Sequence, residues 1–252
     1  MIRGFAWLVL IIMALNNLFA KDRPTLIFYC GITMVKPMQK ISNIIEKRYN
    51  CIIKILQGGS QDLYDSLSTS KIGDLYLPGS DTYIKKYKKF GFFEKSVYIG
   101  YNQAAIFVQK GNPKKIKSLD NLLDKSISTM IGDPDSGSIG KNTKKILIAY
   151  KGKDFFQKVY ENAVRLGTDS RDINSALINK DIDMAINWRA SVFWDENSPY
   201  IDIINIDEKY AHKKRLLLTE LTFSKHKDIV KKFLEFAVSK DGKDIMKRYG
   251  FR

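Results

Sequence analysis

Short apolar runs alternate with helix-like segments along most of this 252-residue chain. A strand is predicted over Thr25–Cys30, a second over Cys51–Leu56 after an intervening helix, and others over Ala104–Gln109 and Asp183–Asn187. This alternation is typical of α/β folds in which helices cover both faces of parallel sheets. Such sheets bind ligands beyond the carboxyl ends of their strands, so those ends are where a site is expected.

Three loops at predicted strand ends combine glycine with serine or threonine. They are Cys30–Thr33, Gly58–Ser60 and Asp133–Gly140. The first amide groups of a helix have no partner inside it and the helix dipole is positive there, so a strand-to-helix turn attracts anions. Several such turns facing one cleft would predict a site for a small anion. For Thr33, service as an ordinary helix N-cap is the alternative.

An apolar run near the N-terminus predicts export. Residues 4–15 are all apolar or glycine, Arg3 precedes them, and the polar pair Asn16 and Asn17 follows before Ala20. This is the layout of a signal peptide cleaved after Ala20, and the run is too short for a comfortable membrane span. An uncleaved anchor is the alternative. We therefore expect residues 1–20 to be removed and the product to be periplasmic.

The chain is strongly basic, with 42 Lys and Arg against 27 Asp and Glu and a net charge of +15. Removal of residues 1–20 lowers the net charge by one, because Arg3 is the only charged residue among them. A positive field concentrates anions near a cleft, but it also suits nucleic acid or an acidic membrane. The lysines are scattered, and the dense run at 85–89 is interpreted as the solvated face of one helix. We therefore expect no nucleic-acid partner.

Cys30 and Cys51 are the only cysteines, and export makes a disulfide worth considering. In the predicted βαβ unit, Cys30 ends one strand and Cys51 begins its parallel neighbour. At roughly 3.3 Å per residue the two would lie about 15 Å apart, which is beyond the reach of a disulfide. Both thiols are therefore predicted to be free.

A calcium site and an enzyme active site are the competing interpretations of these motifs. Asp133, Asp135 and Gly137 match the start of a calcium loop, but Lys144 stands where that loop needs a glutamate. Ser60 or Cys30 could act as a nucleophile. The two histidines of the chain, however, have no acidic partner in a catalytic pattern; they are His212 and His226. The prediction is a protein with no metal, no cofactor and no enzymatic activity.

Six segments together make the chain resemble the periplasmic molybdate-binding proteins of ABC importers. They occur in the order and spacing of that family: Thr25–Met38, Gly73–Asp81, Phe107–Pro113, Ile131–Gly140, Asp181–Trp188 and Asp244–Phe251. The resemblance implies a two-lobed periplasmic-binding-protein fold of type II, with two hinge crossings. It places the first lobe at 21–103 and 206–252 and the second lobe at 104–205.

The resemblance also implies particular binding residues. The hydroxyls that contact the oxyanion fall at Thr33 and Ser60, and the backbone amides at Ile139 and Ile173. The last contact of the family is a tyrosine hydroxyl, and here that position is Trp188. An indole N–H donates one hydrogen bond but reaches differently from a phenol, which leaves a ligand other than molybdate open. Packing of Trp188 in a core is the alternative.

Arg189 follows directly and brings a charge that the molybdate site lacks. A guanidinium that reached the anion would favour ligands with a bidentate face, and its removal would weaken binding roughly 30- to 150-fold. The alternative is a structural pairing with an acid such as Asp169 or Asp195.

The function implied is capture of a tetrahedral oxyanion in a cleft between the lobes and delivery to the membrane permease of an ABC importer. Molybdate and tungstate lead the expected ligands, followed by sulfate and phosphate, and the protein is expected to be a monomer. A binding protein for a small organic carboxylate or phosphonate, with a sensory or surface-antigen role, is the alternative.

Overall fold

The computed structural model describes residues 23–135 and 137–251, in which ten strands form two five-stranded sheets. The predicted signal peptide at 1–20 lies outside the described residues. Within the described ranges, no helix combines the length and the apolar character needed to cross a membrane.

The strands and helices alternate through most of the chain. In chain order the strands are β1 Thr25–Gly31, β2 Ile52–Gly58, β3 Leu75–Leu77, β4 Phe93–Asn102, β5 Ala104–Gln109, β6 Thr129–Gly132, β7 Arg165–Gly167, β8 Met184–Trp188, β9 Ile201–Asn205 and β10 Lys214–Leu221. The α-helices are α1 Val35–Tyr49, α2 Ser60–Ser70, α3 Asp81–Tyr87, α4 Ser138–Asn162, α5 Ser170–Ile178, α6 Lys227–Val238 and α7 Lys240–Arg248. Helix α4 is kinked at Lys151 and Gly152, whose backbone angles are not helical.

Both sheets are mixed, so the expectation of purely parallel sheets is wrong for β5 and β10. In the first sheet, ordered β2-β1-β3-β10-β4, β1 runs parallel to β2 and β3, whereas β10 is antiparallel to β3 and β4. In the second, ordered β7-β6-β8-β5-β9, β5 is antiparallel to β8 and β9. Strands β5 and β10 are the first strands after the two crossings between the sheets, so neither enters its sheet through the helix crossover that parallel neighbours require.

The chain passes between the two sheets twice, as the two-lobed α/β fold with two hinge crossings requires. The first crossing lies between Asn102 and Ala104, and the second between Asn205 and Lys214. The two crossings are tied together, because the side-chain amide of Gln103 donates a hydrogen bond of 2.8 Å to the carbonyl oxygen of Ala211. The predicted fold class is therefore confirmed.

Each sheet has its own hydrophobic core. In the first, Phe28 of β1 meets Phe233 of α6 edge to face, with ring centroids 5.5 Å apart. In the second, the buried residues of β5 and β8 pack against α4 and α5. The short 3-10 helix Arg189–Phe193 follows β8, yet its Ala190 packs into the core of the first sheet. The segment after β8 therefore reaches across to the first lobe.

Cys30 and Cys51 are free thiols, as predicted. Strands β1 and β2 run in parallel register, with Thr25 opposite Ile52 and Cys30 opposite Gln57, so the two cysteines lie at opposite ends of the strand pair. Both side chains are buried, and burial raises the pKa of the Cys30 thiol well above its usual value.

Candidate functional site

A cleft of about 300 Å³ lies between the two sheets at the carboxyl ends of their parallel strands. We call it the interlobe cleft. The first sheet supplies residues 31–34, 58–60, 62 and 79 to its walls, and the second supplies residues 137–139, 168–171 and 188. The three glycine-containing loops predicted to bind an anion therefore meet at one place.

The helices that follow these loops start on glycines. Gly31 precedes the 3-10 turn that leads into α1, Gly59 precedes α2, and Gly137 precedes α4. Among the described residues, no side chain caps the first amide groups at any of these three starts. Because a capping side chain would otherwise occupy those amides, this arrangement keeps three positive helix ends available to a ligand in the cleft.

Ser60 lies in the cleft wall with a fixed hydroxyl. Its Oγ accepts a 2.9 Å hydrogen bond from the Gly79 amide, and its carbonyl oxygen accepts one of 2.7 Å from the Tyr76 hydroxyl. Since the amide occupies an acceptor site of Oγ, the hydroxyl proton remains for an acceptor such as an oxyanion. The fold thus presents Ser60 as a donor.

Thr33 also lines the cleft, but it does not cap a helix. It lies inside the 3-10 turn that starts after Gly31, so the N-cap alternative is wrong. The Thr33 Oγ1 lies 3.0 Å from the Met34 sulfur and 3.4 Å from the side-chain nitrogen of Asn102, at the first hinge crossing. A thioether is a weak acceptor, which a charged ligand oxygen would readily replace.

The third loop depends on two glycines that let strand and helix touch. A Cβ on Gly132 would lie 2.9 Å from the Gly140 nitrogen, and a Cβ on Gly140 would overlap the Asp133 carbonyl oxygen. The Asp133 carboxylate accepts a 2.9 Å hydrogen bond from the Asp135 amide and so shapes the turn. Within the described ranges, no three His, Cys, Asp or Glu side chains gather as a metal site.

Ser138 lines the cleft from the third loop, although it was not among the predicted contact residues. It is the first residue of α4 and stands just before Ile139, whose amide was the predicted contact. The Trp188 indole nitrogen donates to the Ser138 Oγ over 3.3 Å, and a Cβ on Gly79 would lie 3.3 Å from the same oxygen. Ser138 of the second lobe therefore reaches the wall formed by the first. Its only sequence signal is its place between two glycines, Gly137 and Gly140.

The start of α5 is organised differently from the other three. Its N-cap, Asp169, accepts hydrogen bonds of 2.6 and 3.1 Å from the Arg171 and Asp172 amides, and it pairs with the Arg171 guanidinium at 3.0 Å. The Ile173 amide donates to the Asp169 carbonyl oxygen at 3.2 Å, and the Ile173 side chain is buried in the core of the second sheet. Ile173 is therefore held one turn behind the cleft wall, and Ser170 and Arg171 line the cleft instead.

Arg189 lies outside the interlobe cleft. It lines a separate cavity with Tyr98, Phe193 and Lys247, and its Nη1 donates a 2.8 Å hydrogen bond to the Asn205 side-chain oxygen. Trp188 itself is buried and lines the cleft. At the end of β8, Trp188 therefore lines the interlobe cleft, whereas Arg189 lines the separate cavity. The predicted structural partners of Arg189 were Asp169 or Asp195, but its guanidinium bonds to Asn205.

The two histidines do not contribute to the interlobe cleft. His212 is exposed within the second hinge crossing, and His226 precedes α6 on the first lobe. Ser60 therefore has no histidine beside it among the residues that line the cleft. The groups available there are hydroxyls, amides and one indole, together with the Asp62 carboxylate and the paired side chains of Asp169 and Arg171.

A family model described as bacterial extracellular solute-binding protein matches residues 26–252 of this chain. Solved structures with the same fold include the sulfate-binding protein SubI of Mycobacterium tuberculosis, with a TM-score of 0.79 and 17% identity. The match covers 91% of this chain and 87% of that one. These values leave the ligand open, because likeness at this identity concerns the fold alone.

Two other solved structures are similar over nearly their whole length. The periplasmic molybdate-binding protein of Azotobacter vinelandii matches with a TM-score of 0.76 and 12% identity, covering 90% of this chain and 98% of that one. PEB3 of Campylobacter jejuni, solved with L-phospholactate bound, matches with a TM-score of 0.72 and 19% identity, covering 90% and 99%. Both likenesses support the two-lobed type II fold.

Proposed function

We propose that this chain, which belongs to the family of bacterial extracellular solute-binding proteins, captures a small oxyanion in its interlobe cleft and delivers it to the membrane permease of an ABC importer. The observation that carries the proposal is the meeting of three helix starts in one cleft, each on a glycine and each without a side-chain cap among the described residues. We also propose that residues 1–20 are the export signal, which makes the working location the periplasm.

The proposed binding residues combine hydroxyls, amides and an indole. Thr33, Ser60 and Ser138 supply hydroxyls, and Ile139 supplies a backbone amide. Trp188 supplies its indole N–H, which would turn from the Ser138 oxygen to the ligand. Each hydrogen bond to a charged group contributes about 1.5–3 kcal/mol net. Five such bonds leave room for the roughly 8 kcal/mol of micromolar binding after the costs of ordering. Ile173 and Arg189 stay outside this proposed set.

We propose that the first lobe consists of residues 21–103 and 206–252, and the second lobe of residues 104–205. Ligand oxygens bound by Ser60 of one lobe and Ser138 of the other would link the two lobes, so binding would favour a closed state. An ABC permease that distinguishes closed from open binding protein would then accept only the loaded form. The two tied hinge crossings near Gln103 and Ala211 suit a rigid-body closure of this kind.

Acidic side chains in the cleft bear on which oxyanion is preferred. Asp62 lines the cleft beside Gly59, where a Cβ would come within 2.6 Å of its carboxylate oxygen. A carboxylate repels a fully ionised oxyanion but accepts a hydrogen bond from one that keeps a proton. Near neutral pH, phosphate and phosphate esters keep or readily regain a proton, whereas sulfate does not. We therefore place phosphate-type anions ahead of molybdate, tungstate and sulfate.

The test is a binding panel on the purified protein. Phosphate, sulfate, molybdate and tungstate are compared by titration calorimetry and thermal shift, with planar nitrate as the control anion. A ligand at 100 times its dissociation constant adds about 2.7 kcal/mol to the free energy of unfolding, which a melting curve resolves. Stabilisation by a tetrahedral anion and none by nitrate is expected. A flat response to all four tetrahedral anions and to organic phosphates would overturn the proposal.

A further inference from the structure

A second cavity of about 200 Å³ adjoins the interlobe cleft on the far side of Ser138 and Trp188, which line both. We call it the lysine cavity, because four lysines contribute to its walls. Lys86 comes from α3 and Lys214 from the start of β10, while Lys141 and Lys145 come from consecutive turns of α4. Both lobes therefore supply positive charge to one small space.

These ammonium groups have no carboxylate of their own. Among the residues that the structure describes, none of the four lysines forms an ion pair with Asp or Glu. Lys86 bonds to the Gln61 amide oxygen at 3.4 Å and lies over the Tyr87 ring. The nearby Asp81 is already paired with Lys85 at 2.7 Å. The pKa of Lys214 is lowered by burial first and then by the charge of Lys145. The cavity is thus an unneutralised positive site.

Asn142 adds a buried donor without a partner to the residues that line the lysine cavity. It lines the lysine cavity between Lys141 and Lys145, and 93% of its surface is buried, since only 7% remains exposed. Its side-chain nitrogen is fully buried and finds no hydrogen-bond acceptor among the described residues. An unsatisfied buried donor costs about 1–3 kcal/mol, so folded proteins rarely keep one without a use.

The partition between the two spaces is thin. It consists of the Trp188 indole, the Ser138 hydroxyl that accepts its 3.3 Å hydrogen bond, and Gly79 facing Ser138. A single tetrahedral oxyanion fills only a small part of a 300 Å³ cleft. Pockets of 300 Å³ and more are the size that small organic molecules occupy.

We propose that the solute carries two anionic groups on one short carbon skeleton: a phosphate-type group held by the glycine turns of the interlobe cleft, and a second anionic group held by Lys141, Lys145, Lys214 and Asn142 in the lysine cavity. This inference rests on the proposed function and adds the chemical class of the ligand to it. Trp188 and Ser138, which separate the two spaces, then contact the skeleton between the charges.

Matched probes test the second group directly. Phosphoglycolate carries a phosphate and a carboxylate, whereas ethyl phosphate has nearly the same skeleton without the carboxylate. Titration calorimetry on the purified protein is expected to show at least about tenfold tighter binding of phosphoglycolate, a difference that shrinks with added salt because it is electrostatic. Equal dissociation constants for the two probes would overturn the inference.

Substitutions then test which residues cause the tighter binding of phosphoglycolate. The double variant Lys141→Met with Lys145→Met is expected to lose the preference for phosphoglycolate while ethyl phosphate affinity stays within about twofold of the original. The matched control is Lys144→Met with Lys158→Met, which removes the same charge from the same helix; Lys144 lies over the Phe156 ring, away from the cavity. Equal losses in both double variants would assign the effect to overall charge and refute the site.

Asn142→Leu distinguishes a ligand-binding role of Asn142 from a structural role, because the two roles predict different changes in melting temperature and in phosphoglycolate affinity. Because the side-chain nitrogen has no acceptor among the described residues, removal of the amide is expected to leave the melting temperature unchanged or higher, yet to weaken phosphoglycolate binding several-fold. A lower melting temperature with unchanged binding contradicts the assignment.

The two proposals fail in different ways. If no tetrahedral anion and neither organic phosphate binds, the oxyanion function itself is wrong. If molybdate, sulfate or inorganic phosphate binds but phosphoglycolate binds no better than ethyl phosphate, only the two-anion inference fails.

Discussion

The Gly140 backbone packs so tightly against the Asp133 carbonyl group that a Cβ atom at residue 140 would overlap the Asp133 oxygen. Gly140→Ala is therefore expected to displace the third turn and to cost more than about 2 kcal/mol of stability, as overpacking against rigid backbone does. Gly137→Ala is the matched control, since its Cβ would meet only the Thr168 oxygen at 3.4 Å. Chemical denaturation of both variants measures the difference; a control as damaged as Gly140→Ala would contradict the steric argument.

Ser60 and Thr33 are expected to matter for binding more than for folding. Ser60→Ala and Thr33→Val each remove one hydroxyl donor from the cleft wall and should weaken the oxyanion that binds best by roughly 10- to 150-fold. Ser68→Ala, farther along α2 and outside the cleft lining, is the control and should bind normally. Calorimetric dissociation constants that match the unsubstituted protein for both cleft variants would remove these hydroxyls from the site.

Arg189→Ala is expected to leave the dissociation constant unchanged, because the side chain lines a different cavity from the one that holds the three turns. Its loss should lower stability by about 1 kcal/mol through the broken hydrogen bond to Asn205. Asn205→Ala should have a similar effect, and the double variant should cost less than the sum of the two. A binding loss of tenfold or more for Arg189→Ala would return this arginine to the ligand.

Asp62→Asn is expected to change selectivity. Removing the carboxylate charge from the cleft should improve sulfate binding relative to phosphate, because repulsion falls and an acceptor for a ligand proton is replaced by an amide. Competition calorimetry with the two anions at one pH measures the ratio. Asp65→Asn, farther along α2 and bonded to Gln61, is the control. An unchanged ratio would mean that Asp62 does not sense the ligand.

The segment Thr168–Arg171 in the cleft wall is held by an ion pair behind it. Arg165 donates two hydrogen bonds, of 2.9 and 2.7 Å, to the Asp172 carboxylate, and this contact lowers the pKa of Asp172. A lowered pKa stabilises the fold above the unfolded value of about 3.9, and that contribution disappears as the pH falls through the folded value.

Asp172→Asn should therefore cost about 1 kcal/mol at pH 7, given that the Arg165 side chain is half exposed, and less at pH 3, which lies below the unfolded value. Denaturation curves at both pH values provide the comparison. A cost that is equal at the two values would show that the pair contributes no charge interaction.

Much of the fold followed from local pattern. The strand Ala104–Gln109 lies where it was predicted, and β1, β2 and β8 lie within two residues of their predicted bounds. Strand β4 was missed, because its first residues alternate poorly and are largely exposed at the sheet edge. Strand β9 was missed for a similar reason, as only one of its five residues is fully buried. Edge strands carry little periodic signal, since neither of their faces is fully covered.

The parts of the site that consist of backbone turns could be predicted from the sequence. The parts that depend on the direction of side chains could not. The turns at Gly31, Gly59 and Gly137 could be found because glycine and a strand end are both visible in sequence. The divergence of Trp188 and Arg189 depends on how the chain leaves β8, and the gathering of Lys86 and Lys214 near α4 depends on lobe packing. Neither relation has a local signature, although the spacing of Lys141 and Lys145 already places them on one helix face.

Strand β10 lies between β3 and β4, although more than a hundred residues separate it from either along the chain. The first sheet is therefore complete only when β10, from the last fifth of the polypeptide, has paired with strands far away in sequence. All strands of the second sheet lie within one continuous stretch, 104–205. The second lobe is expected to acquire protected amides first during refolding, and the first lobe to follow once β10 inserts. Pulsed hydrogen exchange would reveal that order, and simultaneous protection of both sheets would exclude it.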